Sequence, residues 1–358
     1  MTTLTVAARP EENVTLRPVP WRRMAWVTWR QHRIALTAVA VFLGALAVSL
    51  WRVGIGLHHA YAAAAACRPA TSPLCDQLQT SFTRMDGFLV NGYVLQAVPA
   101  LIGAFAGAPV LARELETGTF RYAWTQGFGR WRWTLAKLVP LAIVVTAAAG
   151  ALSVLCSWYY RPYLTTGNLF LPEESPLANL FVLRGVAFAA WTLAAFAIGA
   201  LAGMLIRRVV PAMAATLAAY IGLAFATGLY LREHYLPQVV VKNLFNPPSS
   251  AWIISQWWTR GGATVSQSTM NQVMNSMFDR TMPVVHAAAA KSFGVKAQKH
   301  QTYLDTLHYL TQHGYTEWVR YQPASRFWPF QWIEGGWLLA LSVLLIAATV
   351  WLVRRRAA

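Results

Sequence analysis

The sequence predicts an all-α integral membrane protein with six transmembrane helices, an N-terminal interfacial amphipathic helix and a helical extracytoplasmic subdomain between spans five and six. Three observations lead to this fold class. Of the 358 residues, 56% are hydrophobic and only 12% are charged, about half the charged fraction of a soluble domain. Six apolar stretches also have bilayer length. The formal net charge is +17, but a soluble nucleic-acid binder is disfavoured because long apolar runs separate the basic segments.

The spans are predicted from the roughly 20 apolar residues that a helix needs to cross a hydrocarbon layer of about 30 Å. They are residues 34–51, 88–111, 135–158, 180–206, 209–231 and 337–353. Only Arg207 and Arg208 separate the fourth from the fifth, which predicts a tight helical hairpin. The chain then divides into a tail with a connecting helix (1–33), spans one to five (34–231) with an elbow at 113–137, a subdomain (232–332), and span six with a basic tail (333–358).

The basic residues predict the orientation of the spans. Sixteen of the 30 lie in the N-terminal tail, the elbow, the Arg207–Arg208 turn and the C-terminal tail, whereas the two short connections on the other side hold five. Short cytoplasmic loops carry the excess of lysine and arginine. Both termini are therefore predicted to be cytoplasmic, in a multi-pass protein of the cell membrane.

The segment before the first span has an amphipathic pattern. On a helical wheel its basic residues fall on one side, and Trp21, Met24, Ala25 and Trp29 fall on the other. The basic residues are Arg22, Arg23, Arg30 and Arg33. This pattern predicts a basic helix that lies in the cytoplasmic interface against anionic lipids. The alternative is a simple charged flank to the first span.

The stretch between the last two spans is too long for a structureless loop. Residues at helical spacing predict one helix after a cap at Ser268 or Thr269, and a second helix that stops at Gly314. The first set is Met270, Val273, Met274, Met277 and Phe278, and the second is Tyr303, Leu307 and Leu310. A plain packing role for the Met-rich face is favoured over binding of an apolar substrate.

Cys67 and Cys75 lie close together in the first external connection. The compartment there is oxidising, so a disulfide is predicted. In the outer half of the second span, Asn91, Tyr93 and Gln96 either form hydrogen bonds between helices or line a substrate path.

Glycines at Gly-x-x-x-Gly spacing predict close helix packing in two spans. They are Gly103 and Gly107, and Gly199 and Gly203. The spacing indicates packing between helices in general and does not single out a dimer contact.

Catalytic motifs are missing from the sequence. It has no phosphate-binding P-loop, no zinc-binding His-Glu-x-x-His and no Gly-x-Ser-x-Gly nucleophile turn. No metal or cofactor is expected on this chain, and an enzyme is disfavoured. Ion-coupled transport is disfavoured too, because the predicted spans carry almost no ionisable residue.

The elbow, RELETGTFRYAWTQGFGRWRWTLAK at residues 113–137, combines an acidic pair, a glycine break and a basic aromatic stretch. Such a segment suits a cytoplasmic partner, because opposite charges orient the partner and aromatic rings provide contact area. The alternative is an ordinary positively charged loop with interfacial tryptophans.

The pattern Glu-x-Glu-x-Gly-Thr at residues 114–119, followed by Arg121 and by Lys137 at the next span, resembles permease subunits of ATP-binding-cassette (ABC) exporters of the type-2 membrane family. TWRQHR at 28–33 and PASRFWPFQWIE at 323–334 are similar to stretches of actinobacterial members. The resemblance covers most of the chain in topology, although the external segment before the last span is longer than the minimal family pattern.

This resemblance implies a connecting helix before six spans, and a coupling helix between spans two and three that docks on a separate ATPase subunit. The implied coupling residues are Glu114, Glu116, Thr117, Gly118, Thr119 and Arg121. The implied partners are two ATPase subunits, which bind ATP and Mg, and a second permease copy in a homodimer. The function expected is export of an amphipathic or apolar substrate such as a drug, lipid or peptide-like molecule. The alternative is a non-transporting scaffold or sensor with a ligand-binding external subdomain.

Overall fold

The computed structural model describes residues 21–67, 74–75, 77–78, 81, 92–118, 129–162, 180–242, 251–276 and 308–356. Six helical stretches in this part of the chain are long and apolar enough to cross a membrane. We number them spans 1 to 6: Leu36–Ala66, Val94–Thr117, Arg130–Tyr159, Ala187–Ile206, Val209–His234 and Ala324–Arg355. The prediction of six spans is confirmed.

Three of the spans contain more than one type of helical turn. Spans 1, 3 and 4 are the single helices Trp21–Ala66, Arg130–Tyr159 and Ala187–Ile206. Span 2 consists of Tyr93–Gln96, Val98–Ile102, a π-helical turn at Gly103–Gly107 and Ala108–Thr117. Span 5 consists of Val209–Ala226, a π-helical turn at Thr227–Leu231 and a 3₁₀ turn at Arg232–His234, and span 6 of a 3₁₀ turn at Ala324–Arg326 and Phe327–Arg356.

The first helix differs from the prediction of a separate interfacial helix. It runs without a break for 46 residues, Trp21–Ala66, and the predicted amphipathic segment forms its first turns. No glycine or proline occurs before Gly44 to interrupt it. At about 1.5 Å per residue the helix is roughly 70 Å long, about twice the thickness of the apolar layer. It therefore extends well beyond the hydrocarbon.

Span 4 is the centre of the bundle and contacts spans 2, 3, 5 and 6. Its glycines meet the backbone of span 2: a Cβ added to Gly199 would lie 2.3 Å from the Gly103 carbonyl oxygen, and one added to Gly203 would lie 2.4 Å from that of Ala108. A Cβ at Gly107 would meet the carbonyl oxygen of Phe196 at 2.6 Å. The two Gly-x-x-x-Gly pairs thus pack spans 2 and 4 together within one chain, as expected for helices whose small residues allow close approach.

The predicted hairpin between spans 4 and 5 is confirmed. Arg207 adopts a left-handed conformation with φ 58°, which ends span 4, and Arg208 is extended before span 5 begins at Val209. The turn is short because both neighbouring helices continue right up to these two residues.

The segment between spans 5 and 6 is not the predicted helical subdomain, because it contains a four-stranded antiparallel sheet. The strands are β1 Val239–Lys242, β2 Trp252–Arg260, β3 Ala263–Val265 and β4 Tyr315–Gln322, in the order β1-β4-β2-β3. The sequence signal was present, since β2 and β4 are rich in aromatic and β-branched residues that favour strands. In β4, Tyr315, Glu317 and Val319 are buried and alternate with partly exposed residues.

Two short helices, residues 267–276 and 308–312, cover one face of this sheet. Met270 and Leu310 pack there against Trp258 and Tyr315, so Met270 belongs to a packed core. The first helix is capped by Ser266, whose Oγ accepts a hydrogen bond from the Thr269 amide at 3.1 Å. The predicted caps at Ser268 and Thr269 were therefore two and three residues too late.

The remaining residues of these two predicted helices divide between described and undescribed parts. Met274 is exposed. Gly314, with φ 74°, follows the second helix as expected. Met277, Phe278, Tyr303 and Leu307 lie outside the described residues.

Candidate functional site

Glu114 of span 2 and Lys137 of span 3 form an ion pair at the end of the bundle that carries the elbow. Lys137 is only 3% exposed, and its Nζ lies 4.2 Å from the centroid of the Trp133 ring. A buried ammonium group needs an opposite charge to offset its lost hydration. The ion pair therefore joins the helix that enters the elbow to the helix that leaves it.

Glu116 connects the elbow to a third helix. Its Oε2 accepts a hydrogen bond of 3.0 Å from the backbone amide of Val209, the first residue of span 5. That amide has no partner within its own helix, and a carboxylate at a helix N-terminus interacts favourably with the helix dipole. Glu116 thus acts as a cap that a different span supplies.

The next two predicted coupling residues in the chain, Thr117 and Gly118, form the end of span 2. The Thr117 hydroxyl donates to the Arg113 carbonyl at 2.9 Å, and Gly118 ends span 2 in a left-handed conformation with φ 71°, which glycine adopts without steric cost. Glu116 and Thr117 are exposed, whereas Glu114 is turned inward. Thr119 and Arg121 lie outside the described residues.

The predicted interfacial residues occupy the first turns of the Trp21–Ala66 helix. Trp29, Arg30 and Arg33 are exposed, and the Arg30 guanidinium lies 5.5 Å from the Trp26 ring centroid. For Trp21, Arg22 and Arg23 only the helical backbone is described.

At the opposite end of span 1, Cys67 and Cys75 are joined by a disulfide. Of the predicted path residues, Gln96 is partly buried in span 2, and Tyr93 is described by its backbone alone. Asn91 lies outside the described residues.

Sequence reasoning missed a buried ionic network at the end of the bundle next to the sheet. Glu334 of span 6 is fully buried and Arg232 of span 5 is 7% exposed. Arg232 donates two hydrogen bonds of 3.0 Å, from Nε and Nη2, to the two carboxylate oxygens of Glu334. Such a bidentate pair is among the strongest that side chains form.

Two further groups donate hydrogen bonds to the carboxylate of Glu334. The Trp191 indole of span 4 donates to Oε1 at 2.7 Å and the Tyr235 hydroxyl donates to Oε2 at 3.2 Å. The Trp337 indole in turn donates to the Tyr235 hydroxyl oxygen at 2.9 Å. Burial and the neighbouring Glu334 carboxylate raise the pKa of Tyr235, which further favours the protonated phenol that donates this hydrogen bond. One carboxylate therefore ties spans 4, 5 and 6 together.

Gln331, one turn before Glu334, fastens the segment that leads into span 4. Its Oε1 accepts from the Ala187 amide at 2.8 Å and its Nε2 donates to the Phe181 carbonyl at 2.9 Å. Gly185 permits this approach, because it has φ 67° and a Cβ there would lie 2.7 Å from the Gln331 Oε1. The Phe181 ring lies 4.6 Å from the Arg232 guanidinium, which extends the network.

A weak signal for this network existed in the sequence. Glu334 is the acid of the PASRFWPFQWIE stretch, and Arg232 directly follows the fifth apolar run. The predicted sixth span began at Trp337, whereas its helix begins three turns earlier, near Phe327. An acid placed outside the membrane is unremarkable, but one inside a span is expected to have a partner.

These features define a multi-pass α-helical membrane protein in which buried ion pairs fasten the spans at both ends. The sequence model of the ABC-2 membrane transporter related family matches residues 12–232. The match covers more than half of the chain and spans 1 to 5, and the protein belongs to this family.

It is therefore a permease component of an ABC transporter, and membrane subunits of this family are typically non-catalytic and associate with an ABC ATPase. The sheet and span 6 lie beyond the matched residues. A search of curated proteins and a search of solved structures give no match.

Proposed function

We propose that this permease exports an amphipathic or apolar substrate from the cell, driven by ATP that separate ATPase subunits hydrolyse. The observation that carries the proposal is the attachment of the elbow to two spans, through Glu114 with Lys137 and through Glu116 with the Val209 amide. A partner that moves the elbow would therefore move spans 3 and 5 with it. Such rigid-body shifts of helices are a common way to alternate between two packings.

The exposed end of the elbow is the proposed docking point for the ATPase. Glu116, Thr117 and Gly118 lie at the tip of span 2, with Thr119 and Arg121 in the chain that follows. Glu114 acts differently, because its ion pair with Lys137 is internal. It positions the tip and does not itself contact the partner.

The surface of the spans supports an apolar or amphipathic substrate. The described residues that line a groove of about 370 Å³ between spans 1 and 2 are all apolar. They are Ala38, Val39, Phe42, Leu101, Ile102 and Phe105. Such a lining offers no ligand for a small ion, whereas hydrocarbon groups fit it. Gln96 lies on span 2 before the groove, and together with Asn91 and Tyr93, which precede it in the sequence, it is the proposed polar part of the path.

The proposed assembly is a homodimer of this chain with two ATPase subunits, which bind ATP and Mg. Spans 1 and 5 are the least buried within the chain, and Val210 and Phe225 on span 5 are among their exposed apolar residues. Lipid or a second copy would cover these faces. Both termini are placed in the cytoplasm of the cell on the basis of the charge distribution.

A non-transporting scaffold or sensor is the second candidate, and the sheet between spans 5 and 6 favours it. A folded domain of this size outside the spans could bind a ligand and signal through spans 5 and 6, to which it is directly joined.

The test uses vesicles that contain the full chain and its ATPase, with an apolar fluorescent dye as the substrate. Substitution of Glu116→Ala with Thr117→Ala should lower dye-stimulated ATP hydrolysis and dye uptake into inside-out vesicles about tenfold, as expected when a central contact is lost. The ATPase alone should be unaffected.

Glu233→Ala is the matched control, since this acid lies at the other end of span 5 and, within the described part of the chain, its side chain pairs with exposed His234. It should leave both rates unchanged. Normal coupling in the elbow variant would contradict the coupling role. Dye binding without ATP-dependent flux in the unaltered protein would favour the scaffold.

A further inference from the structure

Span 5 ends in a π-helical turn, Thr227–Leu231, between its α-helical part and a 3₁₀ turn. The Arg232 amide donates to the carbonyl of Thr227, five residues back, whereas an α-helical amide bonds to the carbonyl four residues back. The turn therefore holds one residue more than an α-helical turn does. Such single π-helical turns are rare within α-helices and frequently occur at functional sites.

The buried side of span 5 shifts by one residue at this turn. Up to the turn the buried residues have α-helical spacing: Ala212, Thr216, Tyr220 and Thr227. At 100° per residue, an α-helix would next bring Leu231 to this side, about 40° from Thr227, and would point Arg232 about 140° away. The structure shows the opposite, because Leu231 is 46% exposed and Arg232 is 7% exposed. The extra residue therefore places a charged side chain on the buried side instead of an apolar one.

The ion pair with Glu334 depends on this shift. In the observed register Arg232 reaches the buried carboxylate with Nε and Nη2, both at 3.0 Å. With an α-helical turn, Leu231 would face Glu334 and Arg232 would lie on the exposed side. Two effects therefore oppose each other at this turn. The backbone favours the α-helix, since π-helical turns are rare, whereas the bidentate ion pair is available only in the π-helical register.

The side chains of this turn leave room for a change of register. Leu229, Tyr230 and Leu231 are exposed, and no heavy atom among the described residues lies within 4 Å of a Cβ added to Gly228. The other π-helical turn, Gly103–Gly107 in span 2, differs because its two glycines contact the backbone of span 4. Rotation is therefore obstructed in span 2, whereas the exposed side of the turn in span 5 does not obstruct it.

We propose that the turn Thr227–Leu231 is a switch between two registers of span 5. In the observed state Arg232 is paired with Glu334. In the second state the turn is α-helical and the chain after it is rotated by about 100°, so that Leu231 takes the buried position and Arg232 leaves the carboxylate. Glu334 then keeps the hydrogen bond from the Trp191 indole of span 4. Spans 5 and 6 are thereby fastened in one state and released in the other.

This switch is a property of the bundle and goes beyond the export proposal, whose coupling contacts lie at the other end of span 5. A rotation by one residue is a discrete change, which packed helices allow more readily than a gradual one. The two proposals fail separately, since the rotation is measured without ATPase subunits and without a substrate.

The test measures the distance between two nitroxide labels on span 5, one on each side of the turn, in the purified full chain in detergent. Ala218→Cys and His234→Cys carry the labels, because both positions are exposed, and Cys156→Ala removes the free thiol. An added Glu334→Gln substitution removes the charge that holds Arg232. From 1.5 Å and 100° per residue, the second state should lengthen the label distance by about 5 Å. The Glu334→Gln variant should therefore show a second population at this longer distance.

Deletion of Leu229 is the matched control, because it removes the extra residue and leaves Arg232 on the buried side of a continuous α-helix. Combined with Glu334→Gln, the deletion should give a single distance. Absence of the longer distance in Glu334→Gln alone would overturn the proposal. A second, longer distance that persists after the deletion would overturn it too, since it would mean that the end of span 5 unravels.

A second measurement applies if Glu334→Gln does not fold. Deletion of Leu229 with Glu334 unaltered should leave the unfolding temperature unchanged or raise it, because the ion pair is retained. Deletion of Ala219, an exposed residue in the α-helical part, misplaces Tyr220 and Thr227 and should lower the unfolding temperature by about 5 °C or more. Equal loss in the two deletions would show that the turn does not set the register of the chain after it, and would overturn the proposal.

Discussion

At the scale of single residues, two acids within the spans have roles that their positions in the chain do not reveal. Glu114 offsets the charge of a buried lysine, and Glu334 offsets that of a buried arginine. In each case the partner lies on another helix. A buried ion pair contributes little net stability compared with apolar residues, but removal of one partner leaves an unpaired charge. These residues therefore specify which helices pack together.

Glu334→Gln tests this role. Arg232 would remain buried with only a neutral acceptor, so the free energy of unfolding should fall by about 3–5 kcal/mol. Thermal or chemical unfolding in detergent measures it. Glu233→Gln, at the same end of the bundle but partly exposed and next to exposed His234, should change stability by less than about 0.5 kcal/mol. The double variant Arg232→Gln with Glu334→Gln should recover part of the loss. Equal stability of Glu334→Gln and Glu233→Gln would show that the ion pair is not required.

At the scale of helices and strands, glycine spacing determines how the central pair of spans packs. Spans 2 and 4 approach until backbone meets backbone, and the π-helical turn Gly103–Gly107 lies at this crossing. Without a hydrophobic driving force inside the lipid, helices associate by van der Waals packing and hydrogen bonds. The absence of side chains at the crossing is therefore itself a source of specificity.

Gly199→Ala tests the crossing. The new Cβ would lie 2.3 Å from the Gly103 carbonyl oxygen, so overpacking should destabilise the protein by about 1–3 kcal/mol. Gly222→Ala is the control, because nothing lies within 4 Å of a Cβ at that position of span 5. Alanine is the better helix former, so this control should be neutral or slightly stabilising. Unfolding in detergent compares the two variants. A neutral Gly199→Ala would contradict the close crossing.

At the scale of the whole molecule, span 5 connects the two ends of the bundle. Its first amide is capped by Glu116 and its last turn is held by Glu334 through Arg232. The sheet follows span 5 immediately and precedes span 6, and Arg326 and Gln322 hydrogen-bond across this junction. If the elbow moved, span 5 would therefore transmit the movement to the sheet.

A membrane-impermeant maleimide can measure which side of the membrane the sheet faces and which side the end of span 6 faces. In a Cys156→Ala background, where Cys67 and Cys75 are disulfide-bonded, Lys242→Cys on the sheet should be labelled in intact cells. Arg355→Cys, at the end of span 6, should be labelled only after permeabilisation. The reverse pattern would show that the positive-inside argument gives the wrong orientation.

Much of this architecture follows from the sequence alone. Apolar length determines six spans, because an apolar segment of bilayer length satisfies its own backbone hydrogen bonds when it is a helix. Charge asymmetry suggests their orientation, and glycine spacing identifies the helices that pack closely. The turn at Arg207 and Arg208 was likewise predictable, because so few residues separate two bilayer-length runs.

Tertiary structure decided what depends on pairs of residues far apart in the chain. Glu334 and Arg232 are 102 positions apart, and Glu116 and Val209 are 93 positions apart, so no local pattern joins them. The sheet was missed because β1 and β4 pair across most of the external segment, and the residues that form the four strands received no assignment from their local pattern. Local sequence patterns determine the helices and spans, but only the folded chain brings these charges together and pairs the strands of the sheet.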